Sequence, residues 1–394
     1  MNHAILTPEV QDFLRAHLDA SPSELALRKS PFSAVSSAEL ADQLDGMKRA
    51  RKKLPLWFDT PTIYYPSKLS IEQASSAETA MYKSQLIPDK AQVVDLTGGF
   101  GIDSYYFSQR AKTVIHCERN PELSQIAAYN AQRLKAANIT FIAKDGLDYL
   151  GSTDLPIDVI YLDPSRRVKQ QKVFRLRDCE PNVVEELPFL LQKCPSLLIK
   201  AAPLLDIKAA LDELTQVKEV HILSVHNECK ELLFVINANY HGTTTYHSIA
   251  LAEGRYRKFI FSLDQEKNNH PTYSEPLRYL YEPDAALLKS GGFKSIAISY
   301  GIDKLHLHTH LYTSETIIPS FIGRCFEIGT FETYTSFKKR KEPLRANVTT
   351  RNFPLKPEQL KKKHQIKDGG TTYLFFCTGP QNDLLVIYCH RIDL

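Results

Sequence analysis

The stretch that most constrains this chain is residues 91–103, AQVVDLTGGFGID. It predicts a short apolar strand centred on Val93 and Val94, a carboxylate at Asp95, a glycine-rich turn and a helix from Ile102. Glycine is favoured where backbone passes close to a ligand or takes a positive φ. The first turn of a helix presents unpaired N–H groups. The stretch therefore predicts a ligand site at the end of a strand in an α/β fold.

Three nucleotide-type sites compete for this turn. A phosphate-binding loop needs GxxxxGK with Ser or Thr, and the chain has none. A dinucleotide turn needs GxGxxG, but Ser104 stands at the third glycine position after Gly99 and Gly101. The S-adenosylmethionine loop of class I methyltransferases, D-x-G-x-G-x-G, fits at Asp95, Gly99 and Gly101, with Thr97 replacing the first glycine. A purely structural turn in another α/β protein stays open at this point.

Further carboxylates follow the next predicted strands. Glu118 ends the second strand about 20 residues after the turn, where an acid can accept both hydroxyls of a ribose. Asp145, with Gly146, ends the third, and either holds an adenine amino group or only makes a turn before a helix. The predicted cofactor-binding residues are Asp95, Thr97, Gly98, Gly99, Gly101, Asp103, Glu118, Asp145 and Gly146. Weaker pocket candidates in the preceding segment are Gln73, Ser75 and Ser76.

The fourth predicted strand ends in DPSRR. In open α/β sheets, ligands bind near the switch between strands one and four, so Asp163 should lie beside the cofactor turn. Amine methyltransferases that act on bases carry [DNS]PP and an aromatic residue here, whereas Ser165 and Arg166 follow Asp163 and Pro164. An arginine plane can also stack on a base. The predicted catalytic residues are Asp163, Pro164 and Arg166, and the lack of a cysteine at strand ends four and five favours direct in-line transfer.

The order of elements separates the nucleotide folds. Two long strands, VKEVHILSV and ELLFVINANY, flank a tight turn and must be antiparallel. Five β-α units that end in a hairpin are typical of a methyltransferase sheet. We predict a helical segment at 1–85, a methyltransferase domain at 86–240, a linker with a small α+β, ferredoxin-like subdomain at 241–315, and a basic module at 316–394. LHLHTHLYTS predicts a strand with three histidines on one face, which are polar surface residues or a metal site; we predict no metal.

Positive charge is concentrated in two places. Residues 338–367 carry +9, against +4 for the whole chain, and the loop after DPSRR is also rich in cations. Such asymmetry indicates an anionic partner, although a solvated basic face would give the same pattern. The predicted substrate-binding residues are Arg167, Lys169, Lys172, Arg175, Lys361, Lys362 and Lys363.

The composition limits where in the cell the protein is expected. No apolar run approaches the roughly 20 residues of a membrane helix, and the first residues lack the pattern of a secretory signal. Seven scattered cysteines form no CxxC or zinc-finger spacing. We expect a cytoplasmic protein with reduced thiols, no membrane partner and an oligomeric state that the sequence leaves undefined.

Several motifs together resemble one family: EQASSAETA, LTGGFGIDS, DPSRR with RDCEPNVV, NECKELL, LYEPDAALLKSG, THLYTS, RNFPL and KDGG. The chain is similar over nearly its whole length to bacterial class I S-adenosylmethionine-dependent methyltransferases with a C-terminal THUMP-like domain. The resemblance implies a cofactor at residues 95–101, Glu118 and Asp145, and a catalytic motif at Asp163. THUMP domains bind RNA and usually precede the catalytic domain, whereas this module follows it. LTGGFG and LDP also resemble, more distantly, rRNA guanine-N2 methyltransferases.

The sequence thus predicts a class I methyltransferase with a Rossmann-like sheet and a small α+β THUMP-like module. We expect S-adenosylmethionine as cofactor and RNA as substrate, with transfer to a tRNA or rRNA base, such as an exocyclic amine. The alternatives are a methyltransferase acting on protein or a small molecule, and a non-catalytic RNA-binding protein that retains the fold.

Overall fold

The computed structural model describes residues 1–166, 175–340 and 342–393. The chain forms two compact units. The first contains Met1–Lys218 and Leu233–His241, and the second contains Glu219–Leu232 and Gly242–Leu394.

Helices precede the first strand of the first unit. They are α1 (Pro8–Ala16), α2 (Pro22–Leu27), α3 (Ser37–Lys53), α4 (Pro55–Asp59), α5 (Lys68–Gln73) and α6 (Ala77–Ser84), after a 3-10 turn at His3–Leu6. A capping box between Ser36 and Glu39 begins α3, which satisfies two of the free N–H groups at that end. Leu40, Leu44 and Met47 follow helical spacing along α3 and are buried. These side chains belong to a core that also contains Phe100 and Ile126, so the helical segment packs beneath the glycine turn.

The strands in this part of the chain are β1 (Gln92–Asp95), β2 (Thr113–Cys117), β3 (Ile139–Ile142), β4 (Val159–Leu162), β5 (Ser165–Arg166), β6 (Cys179–Glu180), β7 (Ser196–Ala201), β8 (Val217–Val225) and β9 (Glu228–Asn237). The sheet of the first unit has the order β9-β7-β4-β1-β2-β3, and β3, β2, β1, β4 and β7 run parallel. Parallel neighbours put their carboxyl ends at one edge, where ligands bind in such folds. The helices between them are α7 (Ile102–Ser108), α8 (Pro121–Arg133), α9 (Gly146–Ser152), α10 (Val183–Lys193) and α11 (Ile207–Glu213), with a 3-10 turn at Leu176–Asp178.

Strands β8 and β9 confirm the predicted hairpin. His226 and Asn227 join them, and both have positive φ, as a two-residue type I′ turn requires. The second unit adds two strands beside β8, namely β10 (Thr245–Ala252) and β11 (Arg255–Ser262). The strand order here is β11-β10-β8-β9. Strand β10 is parallel to β8 and antiparallel to β11.

The remaining strands of the second unit are β12 (Tyr279–Pro283), β13 (Asp303–Lys304), β14 (Tyr312–Ser314), β15 (Gly323–Thr333), β16 (Leu344–Arg345), β17 (Asn347–Arg351), β18 (Ile366–Lys367), β19 (Thr372–Thr378) and β20 (Leu384–Ile392). Seven of them form a further sheet with the order β13-β14-β12-β15-β20-β19-β17. The other two, β16 and β18, form a short parallel pair. The helices of this unit are α12 (Leu263–Asn268), α13 (Ala285–Ser290), α14 (Phe293–Tyr300), α15 (Tyr334–Phe337) and α16 (Pro357–His364). Leu360 anchors α16 in a core with Phe337, Phe376 and Val386.

One predicted element is wrong. The histidine-rich stretch is not one strand: residues 307–309 form a turn, His310 has a positive φ, and the strand contains only Tyr312–Ser314. His306 bonds Asn382 and Asn352 through its two ring nitrogens, at 3.0 and 3.2 Å. His310 stacks on Phe293 with ring centroids 3.5 Å apart. The alternation of His and apolar residues reflects these separate packing contacts and does not place three imidazoles on one face.

The α/β fold class is confirmed, including the parallel sheet and the small C-terminal α+β module. The four predicted domain boundaries stay a prediction. Every helix in the described parts of the chain is too short or too polar to cross a bilayer.

Candidate cofactor and acceptor site

Asp95, the last residue of β1, organises the turn that follows it. The buried carboxylate accepts hydrogen bonds from the backbone N–H of Thr97 (3.0 Å) and from the hydroxyl of Ser104 (2.6 Å) in α7. Burial raises the pKa of Asp95 to about 7, against the opposing effect of the Ser104 bond, and the charge of Asp103 raises it further. The contacts of Asp95 therefore join strand, turn and helix, and its role as a direct cofactor ligand stays a prediction.

The glycines of the turn allow two close contacts. A Cβ on Gly98 would lie 2.3 Å from the ring of His116, so only glycine fits against that imidazole. Gly101 takes φ +81° where α7 begins, a conformation that glycine adopts without strain. His116 is itself buried, and burial lowers its pKa to about 4, so the ring beneath the turn is neutral at pH 7. The turn thus presents backbone to the cavity above it.

Glu118 follows β2 and faces the same cavity. One carboxylate oxygen accepts from the N–H of Gly99 (2.9 Å) and the other from the N–H of Asn120 (2.8 Å). The side chain is half-buried. Asp145 lies at the end of the following strand segment and caps α9, because one of its oxygens accepts from the N–H of Leu147 at 2.9 Å. Asp145 also lines the cavity, so its capping role and its predicted ligand role are compatible.

A buried polar cluster fixes the segment before β1 to the turn. Lys83 of α6 is fully buried, and its Nζ lies 3.0 Å from Asp103 Oδ1. The other oxygen of Asp103 accepts from the hydroxyls of Ser75 and Tyr161, both at 2.8 Å. Burial opposes ionisation of Asp103, but Lys83, with a smaller contribution from Lys200, outweighs it and holds its pKa below the usual value. The cluster holds Ser75 at the cavity wall, and direct cofactor contact by Asp103 stays a prediction.

Asp163 and Lys200 form an ion pair at the ends of neighbouring strands. Leu162 of β4 pairs with Ile199 of β7, so the next residues, Asp163 and Lys200, lie side by side. The Lys200 Nζ donates to Asp163 Oδ2, and the Asp163 N–H donates to Thr97 Oγ1 at 2.7 Å. This bond joins the DPSRR motif to the glycine turn. Lys200 was missed from sequence; a lysine ending an apolar strand was the available signal.

The structure describes only some of the other residues that were predicted to contact the substrate. Pro164 is buried, and the backbone of Arg166 pairs with Cys179. The side chain of Arg166 and the predicted residues Arg167, Lys169 and Lys172 lie outside the described residues. Arg175 is described and exposed, but it is not among the residues that line the cavity.

A cavity of about 680 Å³ collects these features. Every predicted cofactor-binding residue lines it, together with Asp163, Gln73 and Ser75; Ser76 does not. Residues that the sequence interpretation missed also line it, among them Lys200, Glu180 and Glu186. Eight carboxyl side chains and two cationic side chains contribute to the wall: Asp95, Asp103, Glu118, Asp145, Asp163, Glu180, Glu185 and Glu186, with Arg119 and Lys200.

The predicted substrate-binding lysines of the C-terminal module lie on α16 of the second unit. Lys361 is half-buried and pairs with Asp368 at 2.6 Å. Lys362 and Lys363 are exposed, and Lys363 Nζ lies 5.8 Å from the centre of the Tyr334 ring. Lys338 approaches the same ring at 5.5 Å. Cations therefore surround an aromatic side chain on this unit.

Comparison with known proteins defines the class. Residues 279–321 match the family model of a ferredoxin-like domain, and residues 323–391 match that of a THUMP-like domain. A crystal structure from Porphyromonas gingivalis W83, described as a candidate methyltransferase, is 32% identical and covers 99% of this chain and 98% of its own, with a TM-score of 0.88. The chain belongs to this family of class I methyltransferases with a C-terminal THUMP-like domain.

Two other similarities are partial. An uncharacterized RNA methyltransferase of Mycoplasma mobile is 31% identical over 93 residues, which are 24% of this chain and 26% of that relative. The match therefore spans about a quarter of the curated relative. TrmK of M. capricolum, solved with S-adenosyl-homocysteine, is 17% identical and covers 41% of this chain and 69% of its own, with a TM-score of 0.33.

Proposed function

We propose that this protein is an S-adenosylmethionine-dependent methyltransferase that acts on RNA. The observation that carries the proposal is the acid-lined cavity where the glycine turn, Glu118 and Asp163 meet at the carboxyl ends of β1, β2 and β4.

The charge of the wall favours this cofactor over a dinucleotide. Asp95 and Asp103 are buried, and the other six carboxyl groups outnumber the two cationic side chains by four. Two unit charges 4 Å apart interact by about 4 kcal/mol at an effective dielectric constant of 20. A pyrophosphate would meet repulsion of that order, whereas the sulfonium and ammonium groups of S-adenosylmethionine would be attracted. We therefore assign Glu118 to the ribose hydroxyls and Asp145 to the adenine amino group.

The acceptor end supports direct transfer. When bound, S-adenosylmethionine supplies an electrophilic methyl group. Asp163 lies beside the cofactor turn, fixed by Thr97 and Lys200, where its carboxylate can accept a hydrogen bond from an amine. Cys117 also lines the cavity, but burial raises its pKa to about 12, so it remains a thiol and is a poor nucleophile. A base amine held by Asp163 is the acceptor that this arrangement suits.

The basic module supports RNA as the substrate. Exposed Lys362 and Lys363 follow one another on α16, and Tyr334 lies among the cations of the same unit. Lysines contact phosphates, whereas Tyr334 is 7% exposed and is too buried to stack on a base. The location we propose is the cytoplasm, which is supported by seven cysteines without a disulfide.

Two measurements test the proposal. Calorimetry should show binding of S-adenosylmethionine and no binding of NADH. Tritium transfer from labelled cofactor should then appear in total RNA and not in protein or metabolites. Tritium found in protein or in metabolites would mean that the substrate is a protein or a small molecule and not RNA. Cofactor binding without transfer to any fraction would identify a non-catalytic protein. Nucleoside mass spectrometry of a deletion strain would name the modified base.

A further inference from the structure

A polar cluster lies on β8 and β10 of the second unit. Glu219 and His221 are two residues apart on β8, and Thr245 and His247 are two residues apart on β10. The parallel register places Thr245 opposite Glu219 and His247 opposite His221. Because side chains alternate along a strand, these four share one face of the sheet.

The donor atoms of three of these side chains converge. One ligand atom each from Glu219, His221 and His247 lies within 4.8 Å of the others. Glu219 Oε2 and His221 Nε2 are 2.9 Å apart, and the two imidazole centroids are 4.4 Å apart. The Thr245 hydroxyl lies 2.9 Å from His247 Nε2. Four polar groups therefore meet at one point of the sheet.

Burial leaves this point closed on one side and reachable on the other. The side chain of His221 is 2% exposed and that of Glu219 is 21% exposed. Ile260 of β11 pairs with His247 and is 44% exposed, so the face is open toward β11. A small ion can therefore reach the cluster from the side of β11, while the ring of His221 is buried.

We propose that Glu219, His221 and His247 bind a transition-metal ion of the Zn²⁺ class. Two imidazoles and a carboxylate form a donor set that suits zinc. Mg²⁺ and Ca²⁺ take oxygen ligands, so this set does not favour them. Tetrahedral ligands about 2.0 Å from zinc are about 3.3 Å apart. The Glu219–His221 spacing is already close to this value, and His247 needs a small side-chain adjustment. The fourth position is left to water or to the Thr245 hydroxyl.

This site differs from the absence of metal that the sequence predicted. The sequence offers only E-x-H at 219–221 and one histidine 26 residues later, which differs from the zinc-finger and H-E-x-x-H spacings. The parallel pairing of β8 with β10 is what brings the three residues together. The site is independent of the proposed methyl transfer, because none of its residues lines the cofactor cavity.

The test uses the full-length protein, purified without a polyhistidine tag, stripped with EDTA and titrated with Zn²⁺. We compare the parent, Glu219→Gln, His247→Gln and, as a matched control, His270→Ala, which removes an exposed histidine of the same unit. Loss of a supporting partner of a ligand typically costs 10- to 100-fold in metal affinity. Loss of a ligand should cost about 100-fold or more. Elemental analysis after desalting gives the stoichiometry, and Co²⁺ absorption reports the geometry.

We expect about one Zn²⁺ per chain in the parent and in His270→Ala, a visible tetrahedral Co²⁺ spectrum, and retention lost in both cluster variants. Mg²⁺ should neither bind nor displace Zn²⁺. A parent that retains no more Zn²⁺ than His247→Gln would overturn the proposal and leave a hydrogen-bonded network. Equal loss in His270→Ala would overturn it too, by locating the binding elsewhere. Circular dichroism of each variant confirms that folding is retained, and glutamine at 219 or 247 keeps the polar shape.

Discussion

The two units carry opposite charge at their candidate functional surfaces. In the first unit, a cavity lined mainly by carboxylates is held in shape by buried pairs such as Lys83 with Asp103. In the second, the cations of α16 are mostly exposed and anchored by one buried leucine, Leu360. The contrast indicates a division of tasks. In the function we propose, the acidic cavity selects a cationic cofactor and orients an acceptor, whereas the basic surface supplies affinity for a polyanion without reading its sequence.

The largest expected effect is a loss of stability when a buried charge is removed, compared with the removal of an exposed one. Lys83→Met leaves Asp103 buried without its cation, which typically costs about 3–5 kcal/mol. Lys362→Met, on the exposed surface of α16, should stay within about 0.5 kcal/mol of the parent. Urea unfolding of both variants gives the comparison. Similar losses in the two would mean that Lys83 contributes no more than a surface charge.

The next effect separates chemistry from cofactor binding. Asp163→Ala should lower methyl transfer roughly 10²- to 10³-fold, the usual cost of removing one group that interacts with the reacting centre. Its affinity for S-adenosylmethionine should change little, because the residue faces the acceptor. Single-turnover assays and calorimetry measure the two quantities, with Asp154→Ala as an exposed control. Normal turnover in Asp163→Ala would make this residue structural.

Glu118 tests the cationic-cofactor side of the comparison. Glu118→Gln loses one of the two acceptors that hold Gly99 and Asn120, and with it a charged partner for a ribose. Hydrogen bonds to charged groups contribute about 1.5–3 kcal/mol, so S-adenosylmethionine should bind roughly 10- to 100-fold more weakly. Glu24→Gln on α2 is the exposed control. Unchanged calorimetric affinity in a folded Glu118→Gln protein would contradict the assignment.

Asp95 should make stability depend on pH. Burial raises its pKa to about 7, so between roughly pH 4 and 7 the folded state holds a proton that the unfolded state has released. The resulting stability is complete below this window and is lost as the pH rises through 7. Relative to Asp95→Asn, the parent should lose about 2 kcal/mol from pH 5 to pH 7. His116, whose pKa is lowered to about 4, acts in the opposite direction in both proteins.

Urea unfolding at pH 5, 6 and 7 measures this difference, and taking parent minus variant removes the contribution of His116. Parallel pH curves for the two proteins would show that Asp95 has an ordinary pKa. That result would also weaken its assignment as the buried link between β1 and α7.

The smallest effect concerns the basic surface. Neutralising Lys362 and Lys363 to Ala should reduce the slope of log affinity against log salt for RNA by about 1.4, since each phosphate contact on a single strand contributes about 0.7. Lys361 is left unchanged because its pairing with Asp368 would confuse the result. Lys258→Ala with Lys267→Ala, also exposed in this unit, is the control. Equal slopes in filter binding would remove α16 from the RNA surface.

The sequence predicted what lies at strand ends and missed what pairs across long separations. Asp95, Glu118 and Asp163 were located because an apolar run ending in an acid is a local pattern, and parallel strands bring such ends together. Lys83 and Lys200 were missed because their partners lie 20 and 37 positions away in the chain, at Asp103 and Asp163. The prediction for the histidines near 308 was wrong because it relied on a local pattern alone. The alternation of histidines and apolar residues resembled a strand, but the chain forms a turn there.

Thr97, the residue that replaces the first glycine of the motif, connects the proposed cofactor turn with the proposed acceptor residue. Its hydroxyl accepts the backbone N–H of Asp163, while its own N–H binds Asp95. Any displacement of the turn on cofactor binding must move the acceptor motif with it. Thermodynamic linkage then requires reciprocity: the factor by which cofactor tightens acceptor binding equals the factor by which acceptor tightens cofactor binding.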